Sequence, residues 1–276
     1  MEYIEVNING VSEEIAGILT AEMCELGFES FTGESGGAFS AYIPLESFDI
    51  MKVANFLEKK ASDLGFTYKV EKIASRNWNA EWESSYQPVR IGSCYIRAPF
   101  HEADPKAVTD LVIEPKMSFG TAHHETTRLM IETLLKLNFE DCPVLDMGTG
   151  TGVLGILAAK LGAKRVVAID NDEWSFLNAK ENAHRNNVDG MLVIQGDALS
   201  IPGGKYRFVF ANINRNVLLR DMLVYYSFIE EGGELILSGF FEEDMELITE
   251  KANKLGMELI SHAALNHWVA VRYKKC

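Results

Sequence analysis

Leu145-Asp146-Met147-Gly148-Thr149-Gly150-Thr151-Gly152 is the stretch of this chain best equipped for chemistry, and an apolar run, Val166 to Ile169, ends about twenty residues later on Asp170. A strand that stops in a glycine-rich turn and feeds a helix brings backbone N–H groups close to a ligand, because glycine lacks a Cβ and tolerates positive φ. Val153 to Leu161 supplies that helix. An acid ending the second strand stands where such folds hold a ribose by its two hydroxyls, so Asp170 is the expected ribose ligand. Together these residues predict a nucleotide-cofactor pocket.

The spacing narrows the cofactor. A dinucleotide fingerprint begun at Gly148 needs a small residue at 153, where Val153 stands; the glycines alternate instead at 148, 150 and 152. Asp146, just ahead of them, would repel a pyrophosphate and favour a cation. No Gly-Lys-Ser/Thr follows, which excludes a Walker-type loop. S-adenosylmethionine carries an ammonium and a sulfonium and no phosphate, so Asp146, Gly148, Gly150 and Asp170 together predict a methyl-donor site.

Crevice residues in an open α/β sheet sit at the carboxyl ends of strands, which singles out further positions. Asp197 could accept from an adenine amino group with the Ala198 N–H beside it, or simply cap a turn. Asn212, in Phe210-Ala211-Asn212-Ile213-Asn214, can donate and accept, and so could orient an incoming amine or hold the donor. Upstream, Met117 to Thr127 precedes an apolar helix through Leu137; the hydroxyls and free N–H groups of Thr126 and Thr127 could serve a carboxylate or only cap that helix. His123 and His124 are adjacent and face apart, with no companion at ligand spacing, so no metal site is expected. No nucleophile paired with a base is evident, and none is required where an amine attacks an activated methyl group directly.

These side chains need elements to position them. Tyr3–Ile8 reads as a strand, and Ser12 caps a helix through Leu26 with Ile15, Ile18, Leu19 and Met23 on one face. Phe28–Thr32 and Ala38–Ile43 form a hairpin, Phe48–Leu64 is a second helix ended by Gly65, and Phe66–Ile73 is a fourth strand. This β-α-β-β-α-β order predicts a ferredoxin-like α+β domain over 1–73. Residues 74–100 read as a linker with a short helix, whose Trp78 and Trp82 lie one turn apart and serve packing or substrate contact. Over 101–276 longer strand–helix units begin. Strands are expected at 144–147, 165–170, 191–196, 207–212 and 234–238, with helices near 173–186, 214–229 (stopping at Gly232-Gly233) and 241–255. A final antiparallel pair at 257–262 and 268–273 completes a seven-stranded Rossmann-like sheet.

Composition sets outer bounds. The 276 residues are 47% hydrophobic, enough for more than one core. The first twenty residues lack the pattern of a signal peptide and no apolar run reaches membrane-spanning length, so a cytoplasmic protein without membrane association is expected. Cys24, Cys94, Cys142 and Cys276 are widely spaced and read as reduced packing thiols. The net charge is −14, and up to Lys72 thirteen acids oppose five lysines. That excess disfavours nucleic acid as a partner; it either attracts a basic protein or only aids solubility. A monomer is expected.

Read together, the residues resemble the bacterial ribosomal protein L11 methyltransferases. The likeness runs through Trp78 to Trp82 with Tyr86-Gln87-Pro88, Phe119-Gly120-Thr121 leading to Thr126-Thr127, and Leu145 to Asp172. It continues through Ala179 to Asn187, Ala211-Asn212-Ile213, Gly232 to Gly239 and Trp268-Val269-Ala270. The resemblance implies that Thr127, Gly148, Asp170 and Asn212 contact S-adenosylmethionine. It also implies that the first domain docks ribosomal protein L11, whose lysine side chains and N-terminal α-amine are trimethylated. The chain departs from the family pattern Phe-Gly-Thr-Gly-Thr-His-Pro-Thr-Thr at Ala122, His123 and Glu125, a change expected to alter how the segment closes over the cofactor. Other acceptors, protein or small-molecule, and a non-catalytic cofactor-binding module in ribosome assembly are the competing readings.

Overall fold

Ile4, Val6 and Ile8 alternate with Glu5 and Asn7 along Tyr3–Asn9 (β1), so one face of this strand is buried and the other is polar. In the computed structural model, which describes residues 2–34, 38–73, 86–116 and 118–276, the chain divides into two compact units that separate between Ser85 and Tyr86. In the first unit β1 pairs antiparallel with Ala38–Pro44 (β3) and Thr67–Ile73 (β4), and β3 with Ser30–Glu34 (β2). The sheet order is β2-β3-β1-β4, the ferredoxin-like arrangement that the element order predicts. Helices Glu13–Glu25 (α1) and Ile50–Leu64 (α2) bury Leu19, Met23, Val53 and Leu57 against it.

Local chemistry sets the ends of both helices. The Ser12 hydroxyl accepts from Ile15 N at 3.3 Å, Asp49 accepts from Met51 N and Lys52 N, and Gly65 at φ 72° closes α2. Because Asp49 is the cap, α2 starts two residues after Phe48. Ile18, expected on the buried face of α1, is 50% exposed. The stripe that packs is Ile15, Leu19 and Met23 at a spacing of four, and Ile18 lies about 100° away from it.

The second unit is built on Pro143–Met147 (β8), Arg165–Asp170 (β9), Leu192–Gln195 (β10), Tyr206–Asn212 (β11), Ile229–Phe241 (β12), Met257–Leu265 (β13) and Trp268–Lys275 (β14). Their order is β10-β9-β8-β11-β12-β14-β13, parallel through β12 and then closed by antiparallel β14 and β13. Strand β8 lies between β9 and β11, so the connections leaving β8 and β9 diverge from the one leaving β11. A crevice opens at that switch point. Val144, Phe208 and Phe210 belong to one core and Leu145, Val209 and Leu237 to the other, so both faces of the sheet are covered. The covering helices are Glu125–Leu134 (α3), Val153–Lys160 (α4), Glu173–Arg185 (α5), Arg215–Phe228 (α6) and Met245–Lys254 (α7).

Three boundaries differ from the sequence expectations. Helix α6 ends at Phe228, before Gly232-Gly233, because Ile229 is already extended and pairs opposite Tyr206. Phe241 ends β12 rather than starting a helix, and a 3-10 turn over Glu242–Asp244 precedes α7. Within the expected linker, Val89–Ile91 (β5) and Cys94–Arg97 (β6) are strands of a small sheet completed by Thr109–Val112 (β7). The apolar alternation of Ile91, Cys94 and Ile96 across the Gly92 turn buries these residues in the second unit. Trp78, Trp82 and the short helix expected for them lie outside the described residues. Of the cysteines only Cys94 is fully buried, and burial pushes its thiol up to about 12; all four are free.

Helix α5 joins the small sheet to the large one through amides. Asn186 Oδ1 accepts from Val112 N at 2.9 Å while its Nδ2 donates to Val112 O at 2.7 Å. Asn182, fully buried, accepts from Glu114 N and donates to Thr151 O, both at 2.9 Å. These side chains substitute for strand pairing that residues 112–114 lack on that side. Asn182→Ala leaves a buried N–H and a buried carbonyl unpaired, and is expected to lower stability by about 2 to 4 kcal/mol in a urea titration. A change below about 0.5 kcal/mol would refute this role.

Candidate active site

The three glycines between β8 and α4 all have positive φ, 66°, 55° and 84° at positions 148, 150 and 152. At Gly150 the conformation is required twice over. A Cβ there would collide with the carbonyl oxygen of Phe119, the atom to which Thr151 N donates at 2.9 Å. Thr151 Oγ1 also donates to Gly120 O at 2.7 Å, so the glycine turn grips the segment that leads into α3. At Gly148 a Cβ would collide with Ile213, which follows β11. The missing side chains therefore make room for protein as well as for a ligand.

Two acids hold the turn from below and from the side. Asp146, 1% exposed, accepts through Oδ2 from Thr149 Oγ1 at 2.6 Å and from Gly155 N at 3.0 Å. Burial pushes its carboxyl up to about 6, an effect that these two hydrogen bonds partly oppose. Asp170, ending β9, accepts from Gly150 N at 2.8 Å through Oδ2 and from Asp172 N at 3.1 Å through Oδ1. A carboxylate offers about four acceptor positions, so each oxygen of Asp170 keeps capacity for a ligand hydroxyl.

Asp170 faces a cleft that also contains Met147, Gly148, Asp197, Ala198, Ile213 and Asn214. Asp197 Oδ1 caps a 3-10 turn by accepting from Leu199 N at 2.9 Å. Capping and ligand contact are compatible there, because the second oxygen remains. Asp146 does not line this cleft and lies beneath the turn. Helix α6 adds Val217, Arg220, Asp221 and Tyr225, which no motif had marked. Arg220 forms two 2.7 Å hydrogen bonds to Asp221, so its charge is matched locally and Asp170 and Asp197 leave the cleft negative. That balance suits a cationic ligand and disfavours a pyrophosphate.

Asn212 ends β11 with Nδ2 3.4 Å from Thr127 Oγ1, while its Oδ1 is buried without a hydrogen-bond partner among the described residues. A buried amide oxygen left unpaired costs about 1 to 3 kcal/mol, a cost removed when a ligand N–H is donated to it. Ser118 Oγ is buried and unpartnered in the same way, and nothing in the sequence pointed to it. The structure thus brings together Thr127, Gly148, Gly150, Asp170, Asp197 and Asn212 around the ends of β8 to β11, with Asp146 supporting them.

The segment from Ser118 to Thr127 carries the three departures from the family pattern, and each makes a contact. Ala122 sits at φ 67°, a left-handed conformation that costs a non-glycine residue about 1 kcal/mol, while its methyl group is buried in the core. The His123 ring lies 4.7 Å from that of Tyr86, with Nε2 2.9 Å from Gln87 O. Glu125 Oε1 accepts from Asn266 Nδ2 at 3.0 Å, which holds its carboxyl below the usual range. His124 caps α3: its Nδ1 accepts from Thr126 N, so the ring proton is on Nε2. Among the described residues no group of acids, histidines or cysteines has metal-binding geometry.

The family model for ribosomal protein L11 methyltransferase (PrmA) matches residues 6–276. The chain is 41% identical to the ribosomal protein L11 methyltransferase of Bacteroides thetaiotaomicron, with 99% of each chain covered. It is 44% identical to that of Porphyromonas gingivalis over 93% of this chain and 89% of the relative. A crystal structure of ribosomal protein L11 methylase from Lactobacillus delbrueckii subsp. bulgaricus superposes with a TM-score of 0.65 at 26% identity. It is matched over its whole length and covers 69% of this chain.

Two substitutions test this geometry. Gly150→Ala is expected to destabilise the second unit by about 3 kcal/mol, through the collision with Phe119 and the loss of left-handed freedom. Asp146, raised from 3.8 to about 6, binds more protons in the folded chain than in the unfolded one between those values. Its contribution is therefore fully present below about pH 4 and is lost as pH rises through about 6. Relative to Asp146→Asn, the wild type should lose on the order of 3 kcal/mol of stability from pH 4 to 7; parallel profiles would contradict the assignment.

Proposed function

The chain belongs to the ribosomal protein L11 methyltransferase family, and from that premise we propose that it methylates amines of ribosomal protein L11, both lysine side chains and the N-terminal α-amine. Its methyl donor is S-adenosylmethionine, which supplies, when bound, an electrophilic methyl group on a positively charged sulfur. The observation that carries the proposal is the unpartnered Oδ1 of Asn212, a buried acceptor at the carboxyl end of β11 beside a cleft whose uncompensated charge is negative.

In this reading Asp170 accepts from the ribose hydroxyls with the capacity left on its two oxygens. Asp197 and the Ala198 N–H meet the base. Gly148 and Gly150 present backbone to the donor, Thr127 holds Asn212 in orientation, and Asp146 keeps the turn in shape while adding negative charge below it. Asn212 accepts an N–H of the amine or of the donor and so fixes the approach of the amine lone pair. Positioning of this kind can account for a large part of the rate, since the reaction joins two bound partners. A lysine starts near a pKa of ~10.4 and must lose its proton before it can attack, which desolvation beside Asn212 favours.

The acidic first unit gives the reading a second support, because a basic ribosomal protein is attracted to it at long range. Among the described residues no helix is long and apolar enough to cross a membrane, which suits a substrate found in the cytoplasm.

Incubation of the chain with labelled S-adenosylmethionine and ribosomal protein L11 should add label to lysine-bearing and N-terminal peptides, read by mass. No mass gain on any amine would overturn the substrate assignment. Asn212→Ala is expected to lower kcat about 100-fold or more with the fold retained. Asp170→Ala should weaken donor binding at least about tenfold in a calorimetric titration; unchanged affinity would remove Asp170 from the pocket.

A further inference from the structure

We propose that a second cleft, adjoining the one that holds the methyl donor, seats the acceptor amine and retains its partly methylated forms against a wall of aromatic rings. This rests on the methyl-transfer reading above and extends it to residues to which neither the glycine turn nor the family resemblance gave a role. The loop after β11 divides the two clefts: Asn214 lines the donor cleft on one side and also lines the second, with Phe241, Glu243, Asp244 and Trp268 on the other. Gly239 keeps them adjacent. A Cβ on Gly239 would collide with the backbone of Ile213, so the end of β12, and Phe241 with it, lies directly against the loop that carries Asn212.

The rings form a continuous row. Phe241 and Trp268 have centroids 4.1 Å apart, Trp268 and His124 4.8 Å, and His124 and Phe119 5.1 Å. Thr127, three residues beyond His124, touches Asn212, so the row runs beside the segment that ends at the unpartnered acceptor. Packing alone does not account for it, because Phe241 and Phe119 remain 41% and 52% exposed. Arg215 neutralises Asp244 at 2.5 Å, whereas Glu243 on the same rim carries no ion pair among the described residues. An apolar wall beneath an uncompensated negative rim fits a lysine, whose four-carbon stem is apolar and whose head is cationic.

The same wall discriminates by methylation state. Each methyl group added makes the ammonium head larger and less strongly hydrated, and alkylated ammonium groups are well matched to aromatic faces. The product of one transfer is therefore held at least as well as the starting amine. Retention of that kind favours successive transfers before release: in each, the amine loses a proton to solvent, its lone pair forms the N–CH3 bond as the S–CH3 bond breaks, and the neutral thioether leaves the donor cleft to be replaced by fresh S-adenosylmethionine.

The test compares the full-length wild type with Phe241→Leu, Trp268→Leu and Glu243→Gln on intact ribosomal protein L11. It measures KM, the proportions of mono-, di- and trimethylated product, and donor affinity by calorimetry. Expected for Phe241→Leu and Trp268→Leu is a rise in KM of about 5- to 20-fold and a shift from tri- to mono- and dimethylated product, with donor affinity unchanged. Glu243→Gln should raise KM and make it less sensitive to salt. Should Trp268→Leu fail to fold, Phe241→Leu, at an exposed position, decides. Wild-type KM and product proportions in Phe241→Leu would overturn the proposal. If the wild type methylates no amine, the substrate reading fails by itself, and a trimethyllysine peptide titrated into the wild type and Phe241→Leu still tests the wall. Binding that weakens in the variant supports it, and equal or absent binding overturns it.

Discussion

The carbonyl oxygen of Phe119 occupies the space that a side chain at residue 150 would need, and this close approach ties the cofactor turn to the segment that carries α3. Thr151 fastens the same contact through its backbone N–H to Phe119 and its hydroxyl to Gly120. Asp170 then sets the turn from β9 by accepting from Gly150 N, and Asn182 sets it from α5 by donating to Thr151 O. The segment leading to α3, β9 and α5 thus meet on Gly150 and Thr151. The site inherits its geometry from that meeting, because Thr127 reaches Asn212 only if α3 begins where Phe119 and Gly120 are held.

Electrostatics follow from the same packing. Asp146 is fully buried beneath the turn, where its hydrogen bonds to Thr149 and Gly155 offset only part of the desolvation cost, so its carboxyl is pushed up to about 6. A buried acid of this kind is compatible with a cationic ligand above it and is poorly compatible with a phosphate. The cleft repeats that preference, since Arg220 is bonded to Asp221, and Asp170 and Asp197 leave the lining with more negative than positive charge. In the proposed reading, selectivity for the donor comes from charge that the fold concentrates rather than from any single contact.

Ala122, His123 and Glu125 show how a segment can change residue types and stay anchored. Loss of glycine leaves an alanine in a left-handed conformation, and burial of its methyl group offsets that strain. Histidine and glutamate then add ties to Gln87 and Asn266, at positions where the family pattern would place Thr and Pro.

Much of this protein is local information and was legible in the residues alone. Alternation of period two and three to four, Ser12 as a cap, Gly65 as a stop and the glycine turn before Asp170 are set by neighbours in sequence, and so the two fold types and the donor class could be read directly. Boundaries that depended on a distant partner could not be: Ile229 is extended because Tyr206 lies beside it, and Cys94 to Arg97 becomes the middle strand of a sheet because Thr109 to Val112 returns to it. The same holds for the site. Asp170 and Asn212 stand out by their positions at strand ends, whereas the roles of Asn182, Phe241 and Trp268 depend on groups far away in the chain that only folding brings within reach. Sequence determined which groups could act, since that is a matter of residue type and local backbone. Tertiary structure decided which of them meet and which acceptor is left unpaired at Asn212, because burial and partnership are properties of the whole fold.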